Sequence, residues 1–490
     1  MRYMKTKIVC VLAILFVATS CKKNHDSTSN NNNNNNNSTP PTEEELVMDS
    51  VYLFSQEVYF WNTILPGYDQ FNPRQYKLTG TADDELQSAS NVMDHIRALQ
   101  PLDRFSFVTT IAQSNGIQTG QDADFGFFLK AGSIDQALPY DSVYWYVTYV
   151  YDQSTTGLAG VKRGWIINKI NGTQIGYDQP SVDLLNNAFF GTGTSANFEF
   201  IKPDGTTATA NLSKTTYQAN SVLYKNVITN GANKIGYMVF NQFFDAPSRA
   251  ELADAFNYFQ SQAITDLIVD LRYNPGGATE TQDTLADLIA PVSANNQKMY
   301  TYQFNQQLQA GNFPLLKTKP GFNNVSFAED INSVNYAKAG TLNLNRVFFI
   351  VTGSTASASE LLINNLKPYM DVKLIGDTTY GKPVGFFPID IASKYSIYPI
   401  SFRTINSAGN ADYYHGFAPD DLAADGVNKD WGDVTDPSLA AALKYITTGS
   451  FRLAAPDRAA QGQREVQQML KPVQKELEQN KFSGMYKIIR

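Results

Sequence analysis

Val351-Thr352-Gly353-Ser354-Thr355-Ala356-Ser357-Ala358-Ser359-Glu360 is a run of small residues between two apolar stretches, Val347–Val351 before it and Leu361–Tyr369 after it. The first stretch is short and rich in Val, Phe and Ile, which predicts a buried strand, and the second carries its apolar residues at helical spacing. A strand entering a helix through a tight turn is a unit of α/β architecture. Reading outward, Ile235–Phe240, Asp266–Leu271 and Val372–Ile375 predict further strands, and Arg249–Gln262 and Thr279–Ile289 predict helices. The alternation predicts an α/β core over residues 216–450 with a mixed, largely parallel sheet.

The same run carries candidate chemistry. A serine at a strand-to-helix turn has its hydroxyl exposed beside the helix N-terminal amides, where an oxyanion would be stabilised. Ser357-x-x-Glu360 reads equally as a helix capping box. Lys382 lies 25 residues later, in Thr378-Thr379-Tyr380-Gly381-Lys382-Pro383-Val384-Gly385, just past the Val372–Ile375 strand. One helix and one parallel strand bring the chain back to the same sheet edge, so Lys382 is placed to meet Ser357. A lysine serves as a base only when neutral, which requires a desolvating pocket; Tyr380, Pro383, Phe386 and Phe387 are candidates to build it. Asp270-Leu271-Arg272-Tyr273-Asn274-Pro275-Gly276-Gly277 ends another strand in a tight turn. Backbone N–H groups of Gly276 or Gly277, with that of Ala358, are candidates for an oxyanion hole, against the plainer reading of a Pro-Gly turn.

Upstream, residues 120–215 change to short segments of period two, Phe125–Leu129, Val143–Tyr149, Trp165–Ile170, Ala196–Phe200 and Thr207–Leu212, which predict a compact β-rich module. Residues 44–115 carry Val47, Val51, Phe54, Val58 and Trp61, then Val92, Ile96 and Leu99, at helical spacing and predict an N-terminal helical domain. A polar break is expected near Ser114–Gly120. Residues 451–490 are rich in Gln, Lys and Glu and predict a C-terminal helical tail interrupted at Pro472. The stretch Ala294–Asn345 reads as a long, variable linker.

The N-terminus has Arg2, Lys5 and Lys7, an apolar run Ile8–Val17, then Ala18-Thr19-Ser20-Cys21. This is the pattern of an export signal over residues 1–20, and small residues before a cysteine resemble a lipobox with Cys21 as the lipidated residue. Residues 21–43, with Asn30–Asn37 and Pro40-Pro41, predict a disordered tether, and about two dozen such residues reach roughly 25–30 Å. These features predict a bacterial envelope protein anchored by lipid, on the periplasmic face of the outer membrane. Composition narrows the partners. With 490 residues, 43% of them hydrophobic and 17% charged, the chain is long and apolar enough for a sizeable core. A net charge of −7 without a dense basic block argues against nucleic acid.

Gly157-Leu158-Ala159-Gly160-Val161-Lys162-Arg163-Gly164-Trp165-Ile166-Ile167 followed by Ile170-Asn171-Gly172 resembles the PDZ domains of bacterial proteases, with Trp165 in place of an acidic residue. That resemblance implies that Phe125-Gly126-Phe127-Phe128 is the loop whose amides receive a peptide carboxylate, the peptide adding as a strand. The segments Asp270–Gly277, Thr355–Glu360 and Gly376–Lys382 together, with Gly416-Phe417-Ala418-Pro419-Asp420, resemble the C-terminal-processing, or tail-specific, serine peptidases over roughly residues 125–421. The family resemblance implies a protease core of ClpP/crotonase-like type, Ser357 as nucleophile, Lys382 as general base, Glu360 as a supporting residue and a protein or peptide substrate. With so few histidines and no ligand spacing no metal is expected, and no cofactor is expected. Thr355 stands where Ser is common, Pro383 replaces a usual Gly, and Phe386 falls where many members carry a Gln that orients the lysine. A histidine-based site has only His95 and His415 to draw on and no G-x-S-x-G elbow; His95 is expected as a half-buried structural residue. The rival of another class is an inert lipoprotein that binds peptides or protein tails through the PDZ-like module.

Overall fold

In the computed structural model, which describes residues 40–78, 80, 84–133, 143–451 and 484–489, the predicted alternation of strands and helices forms around a six-stranded sheet. Its order is Val222–Asn230, Asn233–Phe240, Asp266–Asp270, Arg346–Val351, Asp371–Gly376 and Asp421–Leu422. The first two strands pair antiparallel and each later pair is parallel. Parallel strands carry helices on both faces, so their residues are apolar throughout instead of alternating with polar ones. Side chains of even and odd positions separate accordingly. Met238, Phe240, Val269, Val347, Phe349 and Val351 enter the main core with Phe256 and Phe259 of helix Ala246–Gln262 and Leu361 and Leu362 of helix Ala358–Leu366. Tyr237, Val239, Ile268, Phe348 and Ile350 instead meet Leu439, Ala442, Leu443 and Ile446 of helix Pro437–Thr448.

A second six-stranded sheet runs Gly276–Ala278, Gly484–Tyr486, Val384–Phe386, Phe402–Asn406, Lys298–Phe304 and Ser333–Asn335. Two expectations change here. The stretch 294–345 is more than a linker: it supplies two of these strands, and its Phe313, Phe322, Phe327 and Tyr336 are buried in the main core. Gly484–Tyr486 is an extended strand, so the helical reading of 451–490 fails at that end; residues 452–483 lie outside the described residues. Residues 1–39, with the export signal, Cys21 and nearly all of the tether, lie outside them too.

The N-terminal segment is helical as its spacing predicts, over Glu43–Val58 and Asp84–Ala98. A capping box starts the first helix: Thr42 N–H donates to Glu45 Oε2 at 2.7 Å and Glu45 N–H to Thr42 Oγ1 at 3.3 Å. It is not a domain with a core of its own. Val47, Val51, Phe54, Val58, Val92 and Ile96 pack into the same buried cluster as the central sheet, and the nearby strand Phe107–Thr110 pairs antiparallel with Tyr395–Tyr398. The expected break near Ser114 lies inside a helix, Ile111–Thr119, ended by Gly120.

The predicted β-rich module forms an antiparallel sheet of Phe127–Ser133, Val143–Val150, Ile166–Ile170, Ser195–Ile201 and Thr207–Ser213, in that spatial order. One helix, Gln179–Phe190, sends Val182 and Leu185 onto a separate core of Trp145, Ile167, Ile170, Phe198 and Phe200. A buried cluster of its own sets this segment apart from residues 44–115, whose apolar side chains join the main core.

Candidate active site

Three neighbouring parallel strands, Asp266–Asp270, Arg346–Val351 and Asp371–Gly376, release at their C-terminal ends the loops that carry Gly276, Ser357 and Lys382. In open α/β sheets this edge is where side chains converge on a ligand. The loops are stitched together before any ligand is considered. Thr355 Oγ1 donates to Leu271 O at 2.8 Å, Ala356 N–H to Asn274 O at 3.0 Å, and Tyr380 N–H to Thr355 O at 3.0 Å. Thr355, where serine was the expected residue, thus ties the serine loop to the Asp270–Gly277 turn.

Ser357 takes φ 59° and ψ −108°, a conformation that a residue with a side chain adopts only under restraint. The restraint is Glu360. Its Oε2 accepts the Ser357 amide at 2.9 Å and the Lys382 amide at 2.8 Å, while Oε1 accepts Gly381 N–H at 2.7 Å and the Thr379 hydroxyl at 2.6 Å. One carboxylate oxygen therefore bridges the backbones of the two candidate residues. The Ser357 hydroxyl stands in capping-box register with the Glu360 amide but closes no hydrogen bond, and its Oγ is buried without a partner among the described residues. Burial pushes the Glu360 carboxyl up, and hydrogen bonds from Thr379, Lys382, Ser357 and Gly381 oppose that shift.

Lys382 is fully buried. Its Nζ lies 4.2 Å from the centre of the Phe386 ring and 4.6 Å from that of Phe105. Burial drives the amine down to about 7, with the Asp103 and Glu360 charges pulling the other way. The desolvating pocket that a lysine base requires is thus present, with Phe386 as one wall. Its other wall was not foreseen: Phe105 and Asp103 come from the segment read as a separate helical domain. Asp103 accepts Phe105 N–H at 2.9 Å, Ser106 N–H at 3.0 Å and the Tyr59 hydroxyl at 2.8 Å. The pattern Asp103-Arg104-Phe105-Ser106 is legible as a turn held by an aspartate, but nothing in it points to Lys382. Tyr380, expected in the pocket, is 39% exposed. Gly381 has φ 89°, and a Cβ there would lie 2.4 Å from Tyr414 O, so only glycine fits beside Lys382.

The Gly276-Gly277 turn is extreme, with φ of 108° and 140°, and a Cβ on Gly276 would stand 2.9 Å from Ser357 Cβ and 3.0 Å from the Ala358 amide. Gly276 therefore lies against the serine, but its own N–H donates to Asn274 Oδ1 at 2.9 Å and is spent inside the turn. That corrects the reading of Gly276 as an oxyanion donor and leaves Gly277 and Ala358. The Phe125–Phe128 loop also departs from expectation. Gly126 N–H donates to Asp124 Oδ1 at 2.5 Å and Gly126 O accepts Tyr151 N–H at 2.8 Å, while Phe125 and Phe127 are buried in the module core against Phe189 and Phe198. The Gly126 amide is taken by Asp124, so a peptide carboxylate has no claim on it. Phe128 packs on Tyr149. His95 is exposed and stacked on Tyr76, not half buried, and His415 is exposed. Among the described residues no group of three metal-ligating side chains occurs, and no helix is long and apolar enough to cross a membrane.

Similarity to known proteins coincides with this geometry. Residues 234–422 match Peptidase family S41. A carboxyl-terminal-processing protease of Picosynechococcus sp. is 27% identical over 217 residues, 44% of this chain and 44% of that protein. Carboxy-terminal processing protease CtpA of Bacillus subtilis is 25% identical over 150 residues, 31% of this chain and 26% of that one. The match thus spans less than half the length of either relative. A crystal structure of a Bacteroides fragilis protein assigned to the S41 proteases superposes with a TM-score of 0.58 at 21% identity, covering 82% of this chain and 97% of that one, and has the same fold. Gly276, Ser357, Glu360 and Lys382 all lie within residues 234–422, the stretch that matches Peptidase family S41.

Proposed function

We propose that the chain is a serine endopeptidase that cleaves exported proteins or peptides, recognised near their C-termini, with Ser357 as nucleophile and Lys382 as general base. The observation that carries the proposal is a buried lysine, driven down to about 7, bridged through Glu360 to a serine at a strained turn. Neutral Lys382 Nζ accepts the Ser357 hydroxyl proton as Oγ attacks the peptide carbonyl. The oxyanion forms against the Ala358 and Gly277 amides, the first of them at the positive end of helix Ala358–Leu366. Collapse of the tetrahedral adduct passes the proton from the Lys382 ammonium to the leaving amine and leaves an acyl-Ser357 ester. A water molecule, deprotonated by Lys382, then releases the acid. Glu360 touches no reacting atom; it is a positioning residue that holds both loops.

The core belongs to the ClpP/crotonase-like type, and the 120–215 module is PDZ-like and docks substrate through its edge strand Phe127–Ser133 and not through a Gly126 carboxylate nest. The export signal and Cys21 make the chain a lipid-anchored protein of the bacterial envelope, at the periplasmic face of the outer membrane. The proposal is tested by incubating an unfolded protein bearing an apolar C-terminus with the chain and with its Ser357→Ala and Lys382→Ala variants. Turnover by the parent and not by the variants supports the dyad. Equal turnover by all three overturns it, and binding without cleavage by the parent favours an inert receptor.

A further inference from the structure

The strand Gly484–Tyr486 occupies an unusual place. It pairs parallel on one side with Gly276–Ala278, in the register Gly276 to Gly484, Gly277 to Met485 and Ala278 to Tyr486. On the other side it pairs parallel with Val384–Phe386, Gly385 facing Met485 and Phe386 facing Tyr486. The flanking strands are the segment that carries the candidate oxyanion amide and the segment that directly follows Lys382. Among the described residues they join one sheet only through the C-terminal strand. Gly484 lies at the candidate catalytic groups: a Cβ on it would stand 2.6 Å from Lys382 Nζ and 2.8 Å from the Phe386 ring, and a Cβ on Gly276 would stand 2.7 Å from Gly484 O as well as 2.9 Å from Ser357 Cβ.

The rest of the segment is held as a bound peptide is held. Gly484 N–H donates to Pro275 O at 3.1 Å, Lys487 N–H donates to Phe386 O at 2.9 Å, and Thr279 Oγ1 donates to Tyr486 O at 3.3 Å. Met485 and Tyr486 are fully buried, and the bare backbone of Gly385 makes room for the Met485 side chain, whose Cγ would lie 2.7 Å from a Cβ there. The Tyr486 hydroxyl reaches Ile117 O at 3.3 Å. The Lys487 ammonium sits 4.3 Å from the centre of the Tyr302 ring, and its charge bears on the half-buried Glu280 and Asp283. Backbone pairing supplies affinity and alternate side-chain pockets supply selectivity, which is strand addition to a groove.

We propose that the groove between Gly276–Ala278 and Val384–Phe386 is a peptide-strand site, that the chain's own C-terminus, Gly484–Ile489, is its resident ligand, and that this ligand must leave before another peptide reaches Ser357. The proposal rests on the peptidase reading for its meaning as inhibition, but occupancy itself does not. The resident sequence also reports the selectivity of the groove: a residue without a side chain against Lys382, then an apolar, an aromatic and a basic residue, the last facing Glu280 and Asp283. An intramolecular ligand needs little intrinsic affinity to fill its site, because its effective concentration is in the millimolar range.

The test is a binding experiment on Ser357→Ala chains, so that turnover does not intrude. A fluorescent peptide of residues Lys481–Arg490 is titrated by anisotropy into the full-length Ser357→Ala chain, into Ser357→Ala/Met485→Asp, and into a Ser357→Ala chain ending at Ser483. Met485→Asp puts a charge in a fully buried position and expels the tail without shortening the chain. The proposal predicts binding at least about tenfold tighter to both altered chains than to the parent, as when a competing state is removed, and none of this gain with a scrambled peptide. Equal affinity for all three chains, or no binding by a Met485→Asp chain with the parent's circular dichroism, overturns the proposal. If tail exchange is seen while the Ser357 parent hydrolyses nothing, the occupancy stands and the peptidase reading falls.

Discussion

Two buried cations sit within the same molecule and their environments differ in one respect. Arg272 is 1% exposed and is ringed by carboxylates, with Asp270 at 2.7 Å, Asp436 at 2.9 Å and Asp425 at 3.1 Å. Burial alone lowers a cation's pKa, but Asp270, Asp436 and Asp425 outweigh it and hold Arg272 well above its usual range. Asp425 shows the converse: burial pushes it up, yet Lys130, Arg163 and Arg272 hold it well below the carboxylate range. Lys382 is as deeply buried, and the two carboxylates whose charges bear on it, Asp103 and Glu360, spend their oxygens on backbone amides and hydroxyls. The amine drops to about 7. Burial is common to both; what separates a structural cation from a candidate base is whether the carboxylates face the charge or the backbone.

Swapping each cation for an apolar residue of similar length sharpens the contrast. Lys382→Met is expected to lower turnover by about 10³-fold, within the range contributed by a positioned general base, and to leave the melting temperature equal or higher because a costly buried amine is gone. Arg272→Met is expected to do the reverse to the fold: Asp270, Asp425 and Asp436 lose their common cation, and breaking such a buried group costs about 3–5 kcal/mol, read by urea unfolding. Equal destabilisation by both would erase the distinction.

Glu360→Gln comes next. One amide oxygen cannot serve four donors, so stability falls by about 1–3 kcal/mol and turnover falls through kcat more than through KM, because the two loops lose register. An unchanged kcat would remove Glu360 from the account.

The pH dependence follows from the sign of the Lys382 shift. Only the neutral amine accepts a proton, so turnover rises with pH through about 7 and levels off above it. The folded value is depressed from 10.5, so the unfolded chain binds the extra proton between about 7 and 10.5. Stability therefore rises with pH across that window, and Lys382→Met flattens the rise. Asp103→Asn has the smallest effect. Removing a charge that favours the ammonium moves the acid limb to lower pH, by less than about one unit; a move to higher pH would contradict the assigned cause.

Most of the core was legible because its strands are continuous apolar runs and its helices keep helical spacing; Ile235–Phe240, Asp266–Leu271 and Val347–Val351 fall where the structure has strands. Ser357, Glu360 and Lys382 converge because adjacent parallel strands place their loops on one edge, which the alternation alone predicts. Asp103 and Phe105 were not legible, since a wall delivered from 277 to 279 residues before Lys382 leaves no local periodicity. Gly276 was misread because a glycine pair signals a turn without saying which amide the turn consumes; Asn274 does that. The strand Gly484–Tyr486 is only three residues long and takes its conformation from its two neighbours, so no propensity in its own sequence announces it.

The most direct test is the rate at which a fluorophosphonate acylates Ser357, followed by peptide mass from about pH 5 to about pH 9 in the parent and in Lys382→Met. Modification is expected at Ser357 alone, at a rate that rises through an ionisation near 7, with loss of both rate and ionisation in the variant. Equal, pH-matched labelling of Ser357 in the two chains, or labelling at another serine, would contradict a serine activated by a neutral buried lysine.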